Sequence, residues 1–120
     1  MGYIERALRL AQKRYAELNG KHPRAPILHI YYEIVQQLRI LKKSVIKNKA
    51  DKSVLKRMTF GLYAVREFEN SDELFFERLT DAWYILDQHL RGVKVQLPHE
   101  VDPDYVQKQC VLAGKYPDEF

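Results

Sequence analysis

Apolar residues recur at intervals of three and four along almost the whole chain. A sequence with that period buries its apolar side chains by coiling into helices and stacking them. Ile4, Ala7, Leu8, Ala11, Tyr15 and Leu18 mark a first helix, which Asn19 and Gly20 are expected to stop in a left-handed turn. Lys21 to Pro26 holds two prolines and reads as a connection. Ile27, Ile30, Ile34, Leu38, Leu41 and Val45 then form a stripe widened by Leu28, Tyr31, Val35 and Ile46, so the second helix is expected to be the most buried element. Polar Lys47 to Asp51 ends it, and Asp51 or Ser53 is placed to cap a third helix with the stripe Leu55, Met58, Leu62, Val65 and Phe68. After a break at Glu69 to Ser71, Asn70 and Glu73 have capping-box spacing. They open a fourth helix with inner positions Phe75, Leu79, Ala82, Trp83, Leu86 and Leu90, closed by Gly92.

Beyond Gly92 the texture changes. Val93, Val95 and Leu97 alternate with Lys94 and Gln96, an extended segment too short to build a sheet alone. Asp102 followed by Pro103 predicts the start of a short fifth helix with Tyr105, Val106, Gln109 and Cys110 on its apolar face, running to Ala113 and Gly114. Short links favour antiparallel neighbours. The expected fold is therefore all-α: a compact antiparallel bundle of four main helices with a short C-terminal helix. Residues 1–97 form the helical-bundle domain and 98–120 a C-terminal extension.

With 120 residues, 46% of them apolar and 30% charged, the chain is one globular domain whose core needs no metal or disulfide staple. Cys110 is the single cysteine and excludes an internal disulfide, which makes a reducing cytoplasm the expected setting. No apolar run reaches membrane-spanning length, and the opening residues, with Glu5, Arg6 and Arg9, do not form a signal peptide. Arg6 stands where a myristoylation motif at Gly2 would need Ser or Thr. The net charge of +4 conceals an asymmetry. Residues 1–60 hold 14 Lys/Arg against 4 Asp/Glu, and residues 61–120 hold 6 against 12. Opposed halves either attract each other in the fold or present two faces of different sign.

Catalytic chemistry finds no foothold in the pattern. His22, His29, His89 and His99 include no pair at i and i+4, so no metal site is expected. Cys110 has no histidine near it in sequence and reads as a half-buried small hydrophobe. The five scattered glycines form neither GxGxxG nor a Walker loop, so no cofactor, nucleotide or small-molecule substrate is expected. Glu69, Asp72 and Glu73 sit at a helix start, where negative charge meets exposed amides. The basic run from Lys42 to Arg57 (Lys42, Lys43, Lys47, Lys49, Lys52, Lys56, Arg57) supports an alternative, a small nucleic-acid-binding regulator. The solvated helix end is the stronger reading, because base-reading Arg, Asn and Gln are missing beside the lysines. On the third helix, Lys56, Thr59, Phe60, Tyr63 and Glu67 fall opposite the expected stripe, and aromatic side chains ringed by charge are a common form of contact surface. Together with Glu69, Asp72 and Glu73 they are the expected partner-binding residues.

Several short pieces lie in one collinear order: Tyr3-Ile4-Glu5-Arg6-Ala7-Leu8, Gln37-Leu38, Leu55-Lys56-Arg57-Met58-Thr59-Phe60-Gly61 and Ala64-Val65-Arg66-Glu67-Phe68. Leu79-Thr80-Asp81-Ala82-Trp83-Tyr84 and Arg91-Gly92-Val93-Lys94-Val95-Gln96-Leu97-Pro98 continue it. In this order the chain resembles the small helical immunity proteins of bacterial type VI secretion. The resemblance implies a non-enzymatic antitoxin that binds a cognate effector toxin, one that hydrolyses NAD and NADP, and occludes its active site. It implies no contact residues; those above come from helical geometry. The connection Asn19 to Pro26 is longer than the family's, and everything after Pro98 lies beyond the resemblance.

Overall fold

The computed structural model describes residues 2–47 and 52–119. The expected cap at Asp51, Lys49, and the side chains of Ile46 and Lys47 lie outside the described residues. Two long helices, α1 (Tyr3–Lys21) and α2 (Ile27–Lys47), run antiparallel: Glu5 meets Lys42 at 3.7 Å near one end, and the rings of Tyr15 and Tyr32 approach near the other. The two helices pack on each other, with Ala7 and Ala11 fully buried on α1 and Ile34, Leu38 and Leu41 fully buried on α2. A four-residue helix α3 (Lys52–Leu55) and a turn lead into α4 (Phe60–Tyr63), which passes directly into a π-helical turn (Ala64–Phe68). The helix α5 (Glu73–Arg91) then packs on α1 and on the α4 segment. No strand occurs among the described residues, and the arrangement is the expected all-α antiparallel bundle.

An aromatic knot ties three of these elements together. The Phe68 ring lies 5.2 Å from Tyr31 of α2 and 4.8 Å from Phe75 of α5, and Tyr31 and Phe75 stack at 5.7 Å. Such pairs add about 0.5–1.5 kcal/mol each beyond their area burial. Asp72 caps α5 by accepting from the Phe75 amide, and Gly92 closes it at φ 69°, a backbone region where a side chain would be strained. The cap is thus Asp72 rather than Asn70, because only Asp72 stands immediately before the first helical turn.

Two side-chain amides act as backbone surrogates. Gln37 Oε1 on α2 accepts from the amides of Thr59 and Phe60 at 2.7 and 2.9 Å, and its Nε2 donates to Thr59 Oγ1 at 2.9 Å. It therefore satisfies the open start of α4, where Thr59 makes no capping bond of its own. Gln37→Ala is expected to lower unfolding free energy by about 2 kcal/mol by stranding both amides, with Gln37→Glu intermediate; urea unfolding measures both. Gln88 clamps the extended segment in the same way, donating to the Gln96 carbonyl at 2.9 Å and accepting from its amide at 2.8 Å.

The expected single third helix is broken. The chain turns at Lys56 to Thr59 and restarts at Phe60, and the π-turn adds a further offset. A stripe counted from Leu55 and Met58 therefore loses phase. Phe60, Ala64 and Phe68 point inward and are fully buried, whereas Leu62 and Val65 are 58% and 54% exposed. The expected stop at Asn19 and Gly20 also moves: α1 continues through Lys21, and the His22 amide bonds back to the Leu18 carbonyl.

From Pro98 the chain forms α6 (Pro98–Val101), α7 (Tyr105–Lys115) and a short 3-10 turn (Pro117–Glu119), all folded back on the bundle. Helix α7 begins two residues later than Asp102 and Pro103 implied, because Asp102 Oδ1 accepts from the Asp104 amide in a local turn. It packs through Tyr105 and Leu112, which join the main core, so Val106 and Cys110 fall on its outer side and are exposed. Cys110 is thus not the half-buried hydrophobe expected.

Candidate functional site

The expected partner-binding residues divide into three groups. Phe60 belongs to the core: its ring meets Trp83 edge-on at 4.9 Å, and it presents no surface. The helix restart supplies the reason, since it rotates Phe60 inward. Thr59 and Asp72 are half-buried and occupied, Thr59 by Gln37 and Asp72 by the α5 cap and by Arg14 at 2.9 Å. Lys56, Glu69 and Glu73 are exposed, and Tyr63 and Glu67 are partly so. Glu73 pairs with Lys115 at 2.8 Å in solvent, where water screens the attraction.

What the sequence reading missed on this face is an apolar ridge. Leu62 and Val65, with exposed Arg66 beside them, project from the α4 segment beyond the core. The signal was present in the competing stripe Phe60, Ala64 and Phe68, spaced by four, which leaves Leu62 and Val65 outside. Below the ridge the backbone is pinned. A Cβ on Gly61 would stand 2.3 Å from a Trp83 ring carbon, so only glycine lets α4 sit this close to α5.

The charge asymmetry resolves in part into attraction between the halves. Arg14 of α1 donates through Nε to Asp72 at 2.9 Å and through Nη1 to Glu119 at 2.6 Å, and Lys13 adds a bond to Glu119 at 2.7 Å. Burial opposes the Arg14 charge, but these two carboxylates outweigh it and hold the guanidinium above its usual range. Lys42 of the basic run meets Glu5, whereas Lys43, Lys52, Lys56 and Arg57 are exposed. Among the described residues no group of three or more His, Cys, Asp or Glu side chains gathers closely enough to hold a metal ion, and no helix is long and apolar enough to cross a membrane.

Residues 1–88 match the sequence model of the Tsi6 family. A curated relative, the immune protein Tsi6 of Pseudomonas aeruginosa, is 34% identical over 96 residues, which cover 80% of this chain and 95% of that protein. The fold agrees. The structure of Tse6 in complex with Tsi6 contains a chain superposing with TM-score 0.69 at 33% identity, over 80% of this chain and 95% of that one. The structure of Tsi6 from Pseudomonas aeruginosa gives TM-score 0.61 at 32% identity, over 80% and 93%. An all-helical protein with these relatives falls in the class of non-enzymatic immunity proteins. Within that class, the chain belongs to the Tsi6 family.

Proposed function

We propose that this protein acts in the bacterial cytoplasm as the immunity partner of a type VI secretion effector toxin, binding the toxin domain and covering its NAD(P) pocket. The observation that carries the reading is the extended likeness to Tsi6, which includes a structure described as Tse6 in complex with Tsi6. Inhibition by occlusion asks for complementary shape, charge and slow dissociation, and needs no nucleophile, base or cofactor in the blocker. Residues 1–97 are the immunity domain in this reading, and residues 98–120 an extension docked on it.

The proposed contact face centres on Leu62, Val65 and Tyr63, with Lys56, Glu67, Glu69 and Glu73 at its rim. Phe60 supports it from beneath, while Thr59 and Asp72 stiffen its edge. Leu62→Ser with Val65→Ser is expected to weaken toxin binding about 10- to 100-fold, chiefly through faster dissociation, with stability nearly unchanged. Reversing Glu69 and Glu73 should slow association instead; Asp72 is left out because its loss would unseat α5. Surface plasmon resonance with the cognate toxin domain separates these rates.

The role itself is tested by measuring NAD in bacteria expressing that toxin domain with and without this protein. Preserved NAD on co-expression is the expected result. Rescue without any fall in NAD would retain immunity and change the toxin chemistry. Absence of rescue, together with salt-sensitive binding to duplex DNA, would overturn the proposal in favour of a regulator using Lys52, Lys56 and Arg57.

A further inference from the structure

The segment from Pro98 onward is held to the bundle largely by polar side chains. On α1, the Tyr3 hydroxyl meets Nδ1 of His99 at 2.5 Å, and the Tyr3 ring stacks on His99 and meets Tyr105 edge-on. From α7, Gln109 donates to Glu77 of α5 and accepts from Arg78 at 3.1 Å. The Tyr105 hydroxyl hydrogen-bonds the Asp81 carboxyl and receives Arg6 Nη1 of α1 at 3.5 Å. Apolar anchoring is thin by comparison, with Pro98, Tyr105 and Leu112 the buried residues of α6 and α7.

At the centre of this layer an acid lacks a full set of donors. Among the described residues, Oδ2 of Asp81 is the buried side-chain oxygen without a hydrogen-bond partner. Glu77 lies one helical turn away on the same side of α5. Both line a cavity of about 550 Å³ between α5 and the arm, into which Glu73 and Asp102 add further negative charge and Lys108 the opposing sign. The charges facing Asp81 are thus Glu77 and Arg78 from its own helix and Arg6 from α1, with the Tyr105 hydroxyl from α7 and, behind it, His99 of α6.

We propose that α6 and α7 form a proton-operated latch, closed over α1 and α5 while Asp81 is a neutral acid and loosened when Asp81 ionises beside Glu77. A neutral acid needs no second donor at Oδ2 and does not repel Glu77, so the closed arm suits that form. Burial, then the like charge of Glu77, pushes the Asp81 carboxyl up to about 7 against the pull of Arg78, Arg6 and the Tyr105 bond. Burial raises Glu77 in the same direction. With the arm open, Asp81 is a solvated carboxyl near 3.8. Closure therefore takes up a proton: its stabilisation is complete below about pH 4 and is lost as pH rises through 7. Glu119, whose burial is outweighed by its bonds to Arg14 and Lys13, sits below its usual range and loosens the arm only in acid.

The test is hydrogen exchange of the α7 amides from pH 5 to 8, corrected for the intrinsic rate and referenced to α5 amides such as Leu79 and Ala82. The α7 opening constant should rise about 50-fold between pH 5 and pH 7 and level off above, while α5 stays unchanged. Asp81→Asn should remove most of the slope, leaving the smaller part due to Glu77, and keep the arm closed at pH 8; His99→Gln should leave the slope in place. A flat wild-type profile, or a slope undiminished in Asp81→Asn, would overturn the latch. Carbon-13 titration of the Asp81 carboxyl decides the matter even if that variant fails to fold, since a midpoint near 4 rules the latch out. This inference is independent of the effector-binding proposal, because it is read on the protein alone.

Discussion

Phe60→Ala is expected to lower the unfolding free energy by about 3–5 kcal/mol, a large share of the roughly 5–15 kcal/mol that holds a domain of this size. The side chain is fully buried, stands edge-on to Trp83, and begins the helix whose first amides Gln37 satisfies. Truncation leaves a cavity between α4 and α5 that Gly61, directly beneath Trp83, cannot fill. Urea unfolding followed by Trp83 fluorescence should show the fall as an earlier midpoint with little change in slope. The same variant separates two roles for this aromatic. As a surface anchor, Phe60 would reduce affinity and leave stability intact. As a core residue it reduces stability, and the folded fraction keeps its affinity for the toxin within a few fold. Phe60→Leu should recover much of the loss, since volume and apolarity are nearly kept.

The difference between those roles is also where the sequence was hardest to read. Helix α2 was legible as an element because its stripe is long and unbroken, although Val45 at its end is exposed and α5, not α2 as expected, buries the most side chains among the described residues. Gly92 was legible because a left-handed closure needs its particular chemistry. The segment from Lys52 to Phe68 offers neither advantage. Two valid helical stripes overlap there, Leu55-Met58-Leu62-Val65 and Phe60-Ala64-Phe68. The choice between them depends on the turn at Lys56 to Thr59, which Gln37 stabilises from 22 residues away. A long-range hydrogen bond leaves no mark in local periodicity. The family resemblance supplied the role, yet it could not say which of Phe60, Leu62, Tyr63 and Val65 faces outward. The same limit applies to α7, which buries its own Tyr105 and Leu112 but also turns Gln109 onto Glu77 and Arg78 of α5, polar contacts that no apolar period announces.

Gly61→Ala is the second change with a large expected effect, about 2–3 kcal/mol of destabilisation from a single added methyl group. Three ring atoms of Trp83 lie 2.3–2.7 Å from the position that a Cβ would take, well inside van der Waals contact. The indole cannot simply swing aside, because it packs against Phe60, which is itself enclosed. Relief therefore requires α4 to move away from α5. That movement displaces Leu62 and Val65, which follow Gly61 on the same helical segment. Toxin affinity per folded molecule should consequently fall as well, and this distinguishes Gly61→Ala from Phe60→Ala. A double-mutant cycle with Trp83→Leu tests the cause. If the clash is responsible, Gly61→Ala should cost little in the Trp83→Leu background, giving a coupling energy of at least about 1 kcal/mol. Additive losses would rule out the Trp83 contact as the cause, because Gly61 sits in the helix α4 at an ordinary helical φ where alanine is otherwise preferred to glycine.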